Sequence, residues 1–183
     1  RNPFIRVPMA CTRLFSNPKY CTEYPNADEP ELADRTLVVP RGRGLGGSSV
    51  INGMLYVRGH PGDYDEWLQL GCKGWGFDDV LPAFQRIERY PAGDIASRGH
   101  DGAIDIRQFR SDPLSRTFID AVAEAGFEVI EDYNASGEEG ASWTQHNVSP
   151  RSGRRCSALA AYLEPALCRP NLSVATGAAV TKV

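Results

Sequence analysis

Residues 40–67, PRGRGLGGSSVINGMLYVRGHPGDYDEW, decide the reading of this chain. Four glycines fall within seven residues, at Gly42, Gly44, Gly46 and Gly47, and the stretch becomes helix-compatible from Ser48. Glycines let backbone N–H groups approach a ligand closely, and a helix start adds unpaired donors and partial positive charge. That is chemistry for a phosphate or pyrophosphate. On spacing alone an ordinary glycine-rich turn is the better reading. There is no G-K-[ST] sequence, and GRGLGG does not sit between a clear strand and a βαβ helix. The 48–56 stretch is expected to be helical.

Upstream, TLVVP at 36–40 is a short β-branched run ended by Pro40, a strand or extended lead-in. Residues 1–35 are rich in Pro, Asn and polar side chains and are expected to lack regular packing of their own. Downstream, residues 63–70 predict a helix with Asp63 as cap and Gly71 as stop. In DDVLPAFQRIE, Asp78 is a candidate cap, and Val80, Leu81, Phe84 and Ile87 share a face. Asp112 precedes Pro113 at the head of a third helix with the stripe Leu114, Phe118, Ala121, Val122 and Ala125, ended by Gly126. A fourth is expected over about 157–163, before Pro165. Short strands are expected at 103–107, 127–130, 143–148 and 172–176, the last opening a hairpin.

With 183 residues, 42% hydrophobic, the chain is long enough for one domain with a core. A net charge of -3 asks for no nucleic-acid partner, and no apolar run reaches the roughly 20 residues a membrane helix needs. Cys11, Cys21, Cys72, Cys156 and Cys168 form no C-x-x-C pair and read as free thiols. The sequons at Asn134, Asn147 and Asn171 carry little weight. Asp63, Asp65 and Glu66 do not converge as metal ligands on a helix and read as a solvated helix start. Arg151, Arg154 and Arg155 are too few for a nucleic-acid patch and read as salt-bridging or packing groups. His60 and His100 read as surface residues in glycine-rich turns; His146, in TQHNV, reads as core or surface, the alternative being a position facing the substrate side.

The 40–67 stretch resembles the first signature of the glucose-methanol-choline (GMC) oxidoreductases: Pro-Arg-Gly-basic, Gly-Gly-Ser-Ser, Asn-Gly-Met, Arg-Gly, Asp-Tyr-Asp and Trp. The likeness continues through GCKGWGFDDVLPAFQRIE and returns at RSGRRCSALAAYLEPALCRPNLSVATGAAV, so it covers essentially the whole chain. It implies a mixed α/β fold, part of an FAD-binding domain whose Rossmann-like dinucleotide unit is incomplete here. By the resemblance, 1–110 is FAD-binding, 111–170 opens the substrate side and 171–183 returns to the FAD-binding domain. Arg41 would brace the loop, and Gly46, Gly47 and Ser48 would approach the phosphates. Ile51, Asn52, Gly53 and Met54 would lie along the isoalloxazine, with the Asn52 side chain offering it both a donor and an acceptor, and the backbone of Val180 would meet the adenine. The implied activity is oxidation of a small-molecule alcohol, with hydride passing to flavin N5. The alternatives are an FAD-containing hydroxynitrile-lyase-like relative and a non-enzymatic fragment. The family's G-x-G-x-x-G turn and catalytic histidine have no match, so the chain is expected to be an internal piece with no catalytic residue, inactive and flavin-free if taken alone.

Overall fold

The computed structural model describes residues 3–15, 17–27, 29–33, 35–110, 112–135, 137, 139–178, 180 and 182, with Met9 described by its backbone alone. The mixed α/β reading holds, with three small two-stranded sheets among the described residues tied together by helices and long connections. Two 3-10 turns, Pro3–Ile5 and Pro8–Ala10, lead into the short helix α1 (Thr12–Phe15). Strand β1 (Cys21–Pro25) pairs antiparallel with β2 (Val38–Gly42), placing Cys21 opposite Gly42. The 1–35 segment is therefore more regular than its composition suggests. Leu14 and Cys21 are buried against Val50 and Ile51, with Ile5, Phe15 and Tyr20 packed around them. Four apolar side chains spread over two distant stretches carry too weak a local period to be read from sequence, yet together they close one core.

After β2 the glycine loop enters a single 3-10 turn, Gly47–Val50, and the expected 48–56 helix does not form. Ile51 ends the turn, and Met54 takes a left-handed φ of 65°. The chain then runs extended. Leu55 bridges His146, the Asn147 amide donates to Met54 O (2.8 Å), and the Tyr56 amide donates to Gln145 O (2.9 Å). Pairing with a distant strand overrides a helix that would have needed β-branched Val50 and Ile51 and then Gly53 in its interior.

Helix α2 (Pro61–Gln69) is capped by His60 and not by Asp63: the His60 Nδ1 accepts from the Gly62 amide (3.0 Å). Helix α3 (Phe77–Ile87) begins at Gly76, and Asp78 is not its cap. Asp79 Oδ2 accepts from the Gly76 amide and Asp65 Oδ1 from the Phe77 amide. Of the 63–66 cluster, Asp63 thus lies in the first turn of α2 and Asp65 caps the start of α3, and the described residues contain no group of three or more acids, His and Cys placed to hold a metal. Tyr64, Trp67, Phe77 and Phe84 stack edge-on or tilted between α2 and α3.

Beyond α3, β3 (Glu88–Arg89) lies parallel to β4 (Ile104–Asp105). Strand β5 (Arg107–Gln108) pairs antiparallel with β6 (Gln145–His146). Between them helix α4 (Pro113–Glu124) starts as expected, the Asp112 carboxylate accepting from the Ser115 amide at 2.8 Å. Its apolar stripe forms but is uncovered: Leu114 is 78% and Phe118 67% exposed. Val129 makes only an isolated bridge to Ala141. The last helical stretch is a π turn, Leu159–Leu163, running into α5 (Glu164–Ala166), so Pro165 sits inside a first turn and ends nothing. Residues 172–176 pair with no strand among the described residues. No described helix is long and apolar enough to cross a membrane, and all five cysteines are free thiols.

Candidate cofactor-binding loop

The loop is closed by its own glycines. A Cβ on Gly42 would sit 2.3 Å from the Gly47 carbonyl oxygen, so the two ends touch backbone to backbone. The Gly42 amide donates to Ser48 Oγ at 3.0 Å. Gly46 has φ 95°, and a Cβ there would meet Val50 Cγ1 at 2.8 Å. At the turn the Gly47 amide donates to Gly44 O (3.0 Å) and the Ser49 amide to Gly46 O (3.2 Å). The amides of Gly44, Leu45 and Gly46 have no acceptor among the described residues.

Ser49 holds the loop against the C-terminal segment: its hydroxyl donates to Gly46 O (2.5 Å) and accepts from the Ala158 amide (3.0 Å). The larger brace is Arg155. Its backbone amide donates to Arg6 O and its Nε to Ile5 O, both at 3.1 Å. Its Nη1 donates to Asn52 O (2.6 Å), Asn52 Oδ1 (2.6 Å) and Ser49 O (3.3 Å). One guanidinium thus joins the first residues of the chain to the signature stretch. Burial pulls it below the ordinary arginine range, which the neighbouring Cys11 thiol partly offsets. Nη2 is buried without a hydrogen-bond partner among the described residues.

The Asn52 side-chain Oδ1 also accepts from the Met54 amide (3.2 Å). The Asn52 Oδ1 thus accepts twice within the protein, and Asn52 is exposed with no partner on its NH₂ among the described residues. Gly53 is exposed with nothing within 4 Å of a Cβ, whereas Ile51 and Met54 are buried. Only backbone atoms of those two could face a flat ring. Ser48 is exposed; Arg41 is exposed and donates to Pro40 O (3.1 Å), while Ser49 and Arg155 make the loop-bracing contacts. Val180 is 79% exposed.

Behind the 54–56 edge is a charged network that the sequence did not reveal. Glu88, fully buried, accepts from Arg58 Nη2 (2.5 Å), Arg98 Nε (2.8 Å) and the Gly99 amide (2.8 Å). Arg98 Nη1 reaches both oxygens of Asp132 (2.6 and 2.7 Å) and Gln145 Oε1 (3.0 Å). Burial alone would lower the Arg98 guanidinium, but its bonds to Glu88, with Asp132 adding, hold it above its usual range. Asn134 joins in, its Nδ2 donating to Tyr56 O (3.0 Å) and Gln145 Oε1 (2.9 Å), so this sequon is a buried structural residue. The only hint in the sequence was Arg and Glu recurring beside apolar helix ends, which is also what a solvated face looks like.

The remaining histidines are placed too. His60 Nε2 bonds Gly137 O and His100 Nε2 bonds Gly93 O, both at 2.9 Å, so neither is merely solvated. His146 lies on β6, half-buried, edge-on to Phe109 at 5.5 Å, with Nδ1 unpartnered. Burial lowers its imidazole below the ordinary value of 6.5. The folded form thus disfavours the proton. This contribution to stability is intact above the unfolded value and is lost as pH falls through the lower folded value. Comparing urea midpoints at pH 7.5 and below pH 6, His146→Gln is expected to lose less stability on acidification than the wild type; parallel losses would refute a depressed His146.

The family model described as GMC oxidoreductase matches residues 10–183. The chain is 44% identical over 178 residues to an oxygen-dependent choline dehydrogenase of Brucella anthropi, covering 97% of this chain and 32% of that protein. A second, from Sinorhizobium medicae, is 45% identical over 173 residues, 94% of this chain and 31% of that protein. Among solved structures it is similar to pyridoxine 4-oxidase from Mesorbium loti, with TM-score 0.84 and 34% identity over 93% of this chain and 34% of that one. An FAD-dependent oxidoreductase from Chaetomium thermophilum follows at TM-score 0.79 and 28% identity, covering 93% and 31%. The chain therefore spans about a third of the length of the relatives it matches. With the signature loop, its Asn-Gly-Met edge and the Gly-x-Arg clamp folded onto one another, and the match running from residue 10 to the last, the chain belongs to the GMC oxidoreductase family.

Proposed function

We propose that this chain forms the loop side of an FAD site in a protein that oxidises the CH–OH group of a small alcohol. The observation that carries the reading is the pairing, in a member of this family, of unspent amides at Gly44–Gly46 with an exposed Asn52 NH₂ and an unobstructed Gly53. The residues fit the group. Amides without acceptors suit phosphate oxygens, and a backbone edge without side-chain cover suits a flat ring. When bound, FAD would supply the two-electron acceptor.

The chain's own residues do the rest. Gly46, Gly47 and Ser48 present the phosphate side of the loop, and Ile51, Asn52, Gly53 and Met54 present the ring side. Arg41 stands at the loop's entry. Arg155 holds the Asn52 carbonyl so that its NH₂ projects outward. Val180 belongs to a separate, exposed segment and is assigned to the adenine end. No residue here takes the alcohol proton; that step falls to a histidine elsewhere in the whole protein. Choline is the substrate of the relatives by name, and an alcohol of that general kind is the substrate class.

The test is Gly47→Val in the whole protein. Nothing lies within 4 Å of a Cβ at Gly47, but its φ of 54° is left-handed, so a branched residue distorts the loop while sparing the core. Loss of bound flavin absorbance with little change in thermal midpoint is expected. A full complement of flavin in the variant would overturn the assignment.

A further inference from the structure

Arg155 has one arm to spare. Its Nε donates to Ile5 O, and its Nη1 donates to Ser49 O and to both oxygens of Asn52. Nη2 is buried with no hydrogen-bond partner among the described residues, in a residue only 5% exposed. A buried charged donor without an acceptor weakens the fold, and an acceptor arriving there is held. The titratable side chain beside this guanidinium is the Cys11 thiol. Cys11 sits between the 3-10 turn Pro8–Ala10 and α1, on the segment that Arg155 already grips through Ile5 O and Arg6 O. It is partly exposed, whereas Cys21 and Cys156 are buried. Its surroundings in the sequence are positive: Arg1, Arg6, Arg13 and Lys19 all come before the first acid, Glu23. Partial exposure, positive surroundings and a guanidinium neighbour are the setting in which a thiol reacts as a nucleophile.

We propose that Cys11 is a site of reversible oxidation by hydrogen peroxide, and that Arg155 Nη2 receives the product. The sulfur attacks one peroxide oxygen. An S–O bond forms as the O–O bond breaks, and the departing hydroxide takes up the thiol proton and leaves as water. Sulfur gives up two electrons and the peroxide gains them, which yields a sulfenic acid. A thiol is a weak acceptor, whereas a sulfenate oxygen is charged and stands one bond beyond the sulfur. It supplies the acceptor that Nη2 lacks, and a thiol reductant restores the starting state. Oxidation of Cys11 is thereby coupled to the side chain that holds Ser49 and Asn52 in the signature stretch. The site stands on these residues whether or not the alcohol reading is correct.

The experiment treats the whole protein with hydrogen peroxide in the presence of dimedone, which traps sulfenic acids, and follows each cysteine peptide by mass spectrometry. Exposure alone would put Cys72 and Cys168 first, since both are exposed thiols. Cys11 is expected to be labelled several-fold faster than either. Cys11→Ser should remove that adduct and leave the labelling of Cys72 and Cys168 as it was. Arg155→Gln, which removes the guanidinium, should slow the labelling of Cys11 several-fold, with circular dichroism reporting whether the variant is folded. If Arg155→Gln does not fold, the order of labelling in the wild type decides alone. Labelling of Cys72 or Cys168 ahead of Cys11 overturns the proposal. So does a folded Arg155→Gln protein whose Cys11 is labelled at the wild-type rate.

Discussion

Glu88→Ala is expected to destabilise the protein by about 3–5 kcal/mol, the cost of removing one partner from a buried ion network. Glu88 is fully buried, and the Arg58 and Arg98 side chains that converge on it are 2% and 0% exposed. Without the carboxylate, both guanidinium groups lie out of water, Arg98 with Asp132 as its acidic partner and Arg58 with only the Ser97 and Asn134 carbonyls. The Gly99 amide loses its acceptor as well. The consequence reaches the loop edge, because Arg98 and Asn134 both bond the Gln145 side chain, whose backbone carbonyl accepts from the Tyr56 amide. Glu88→Gln keeps the shape and part of the hydrogen bonding and should cost less. Urea unfolding followed by circular dichroism gives the answer; a Glu88→Ala loss under about 1 kcal/mol, the range of an exposed pair, would mean the network is solvated and not buried.

The second large effect is expected at Gly42. In Gly42→Ala the new methyl would stand 2.3 Å from the Gly47 carbonyl oxygen and 2.8 Å from Ser48 Cα. Those are backbone atoms, which cannot rotate away, so the loop must open or β2 must shift. Overpacking of this kind costs about 1–3 kcal/mol, and more where backbone is the obstacle. Opening the loop also separates the Gly42 amide from Ser48 Oγ and redirects the Gly44–Gly46 amides. Bound flavin in the whole protein should therefore fall together with stability. Gly47→Ala provides the contrast. It meets empty space and pays only for a left-handed φ, about 1–2 kcal/mol. If Gly47→Ala destabilises more than Gly42→Ala in the same denaturant series, the apposition of Gly42 and Gly47 is not what closes the loop.

What the sequence determined alone was whatever a short window can encode. The Asp112–Pro113 start of α4 was legible because the cap bond spans three residues, from Asp112 to the Ser115 amide. The existence of α2 and α3 was legible from apolar period and glycine stops, although their true caps, His60, Asp79 and Asp65, were not those expected. The glycine loop was legible because positive φ and close backbone approach leave glycine little competition, and the ordered signature around it carried the family. Tertiary structure decided the rest. The 48–56 stretch is compatible with helix, and only the arrival of β6 about ninety residues later turns it into an extended edge. Arg155 could be read as a packing group but not as the clamp on Asn52, 103 positions away. Glu88, Arg58 and Arg98 look in sequence like any solvated charges. Local hydrogen bonds fix their partners by spacing, whereas a buried charge finds its partner only when the fold brings distant segments together and removes the water between them.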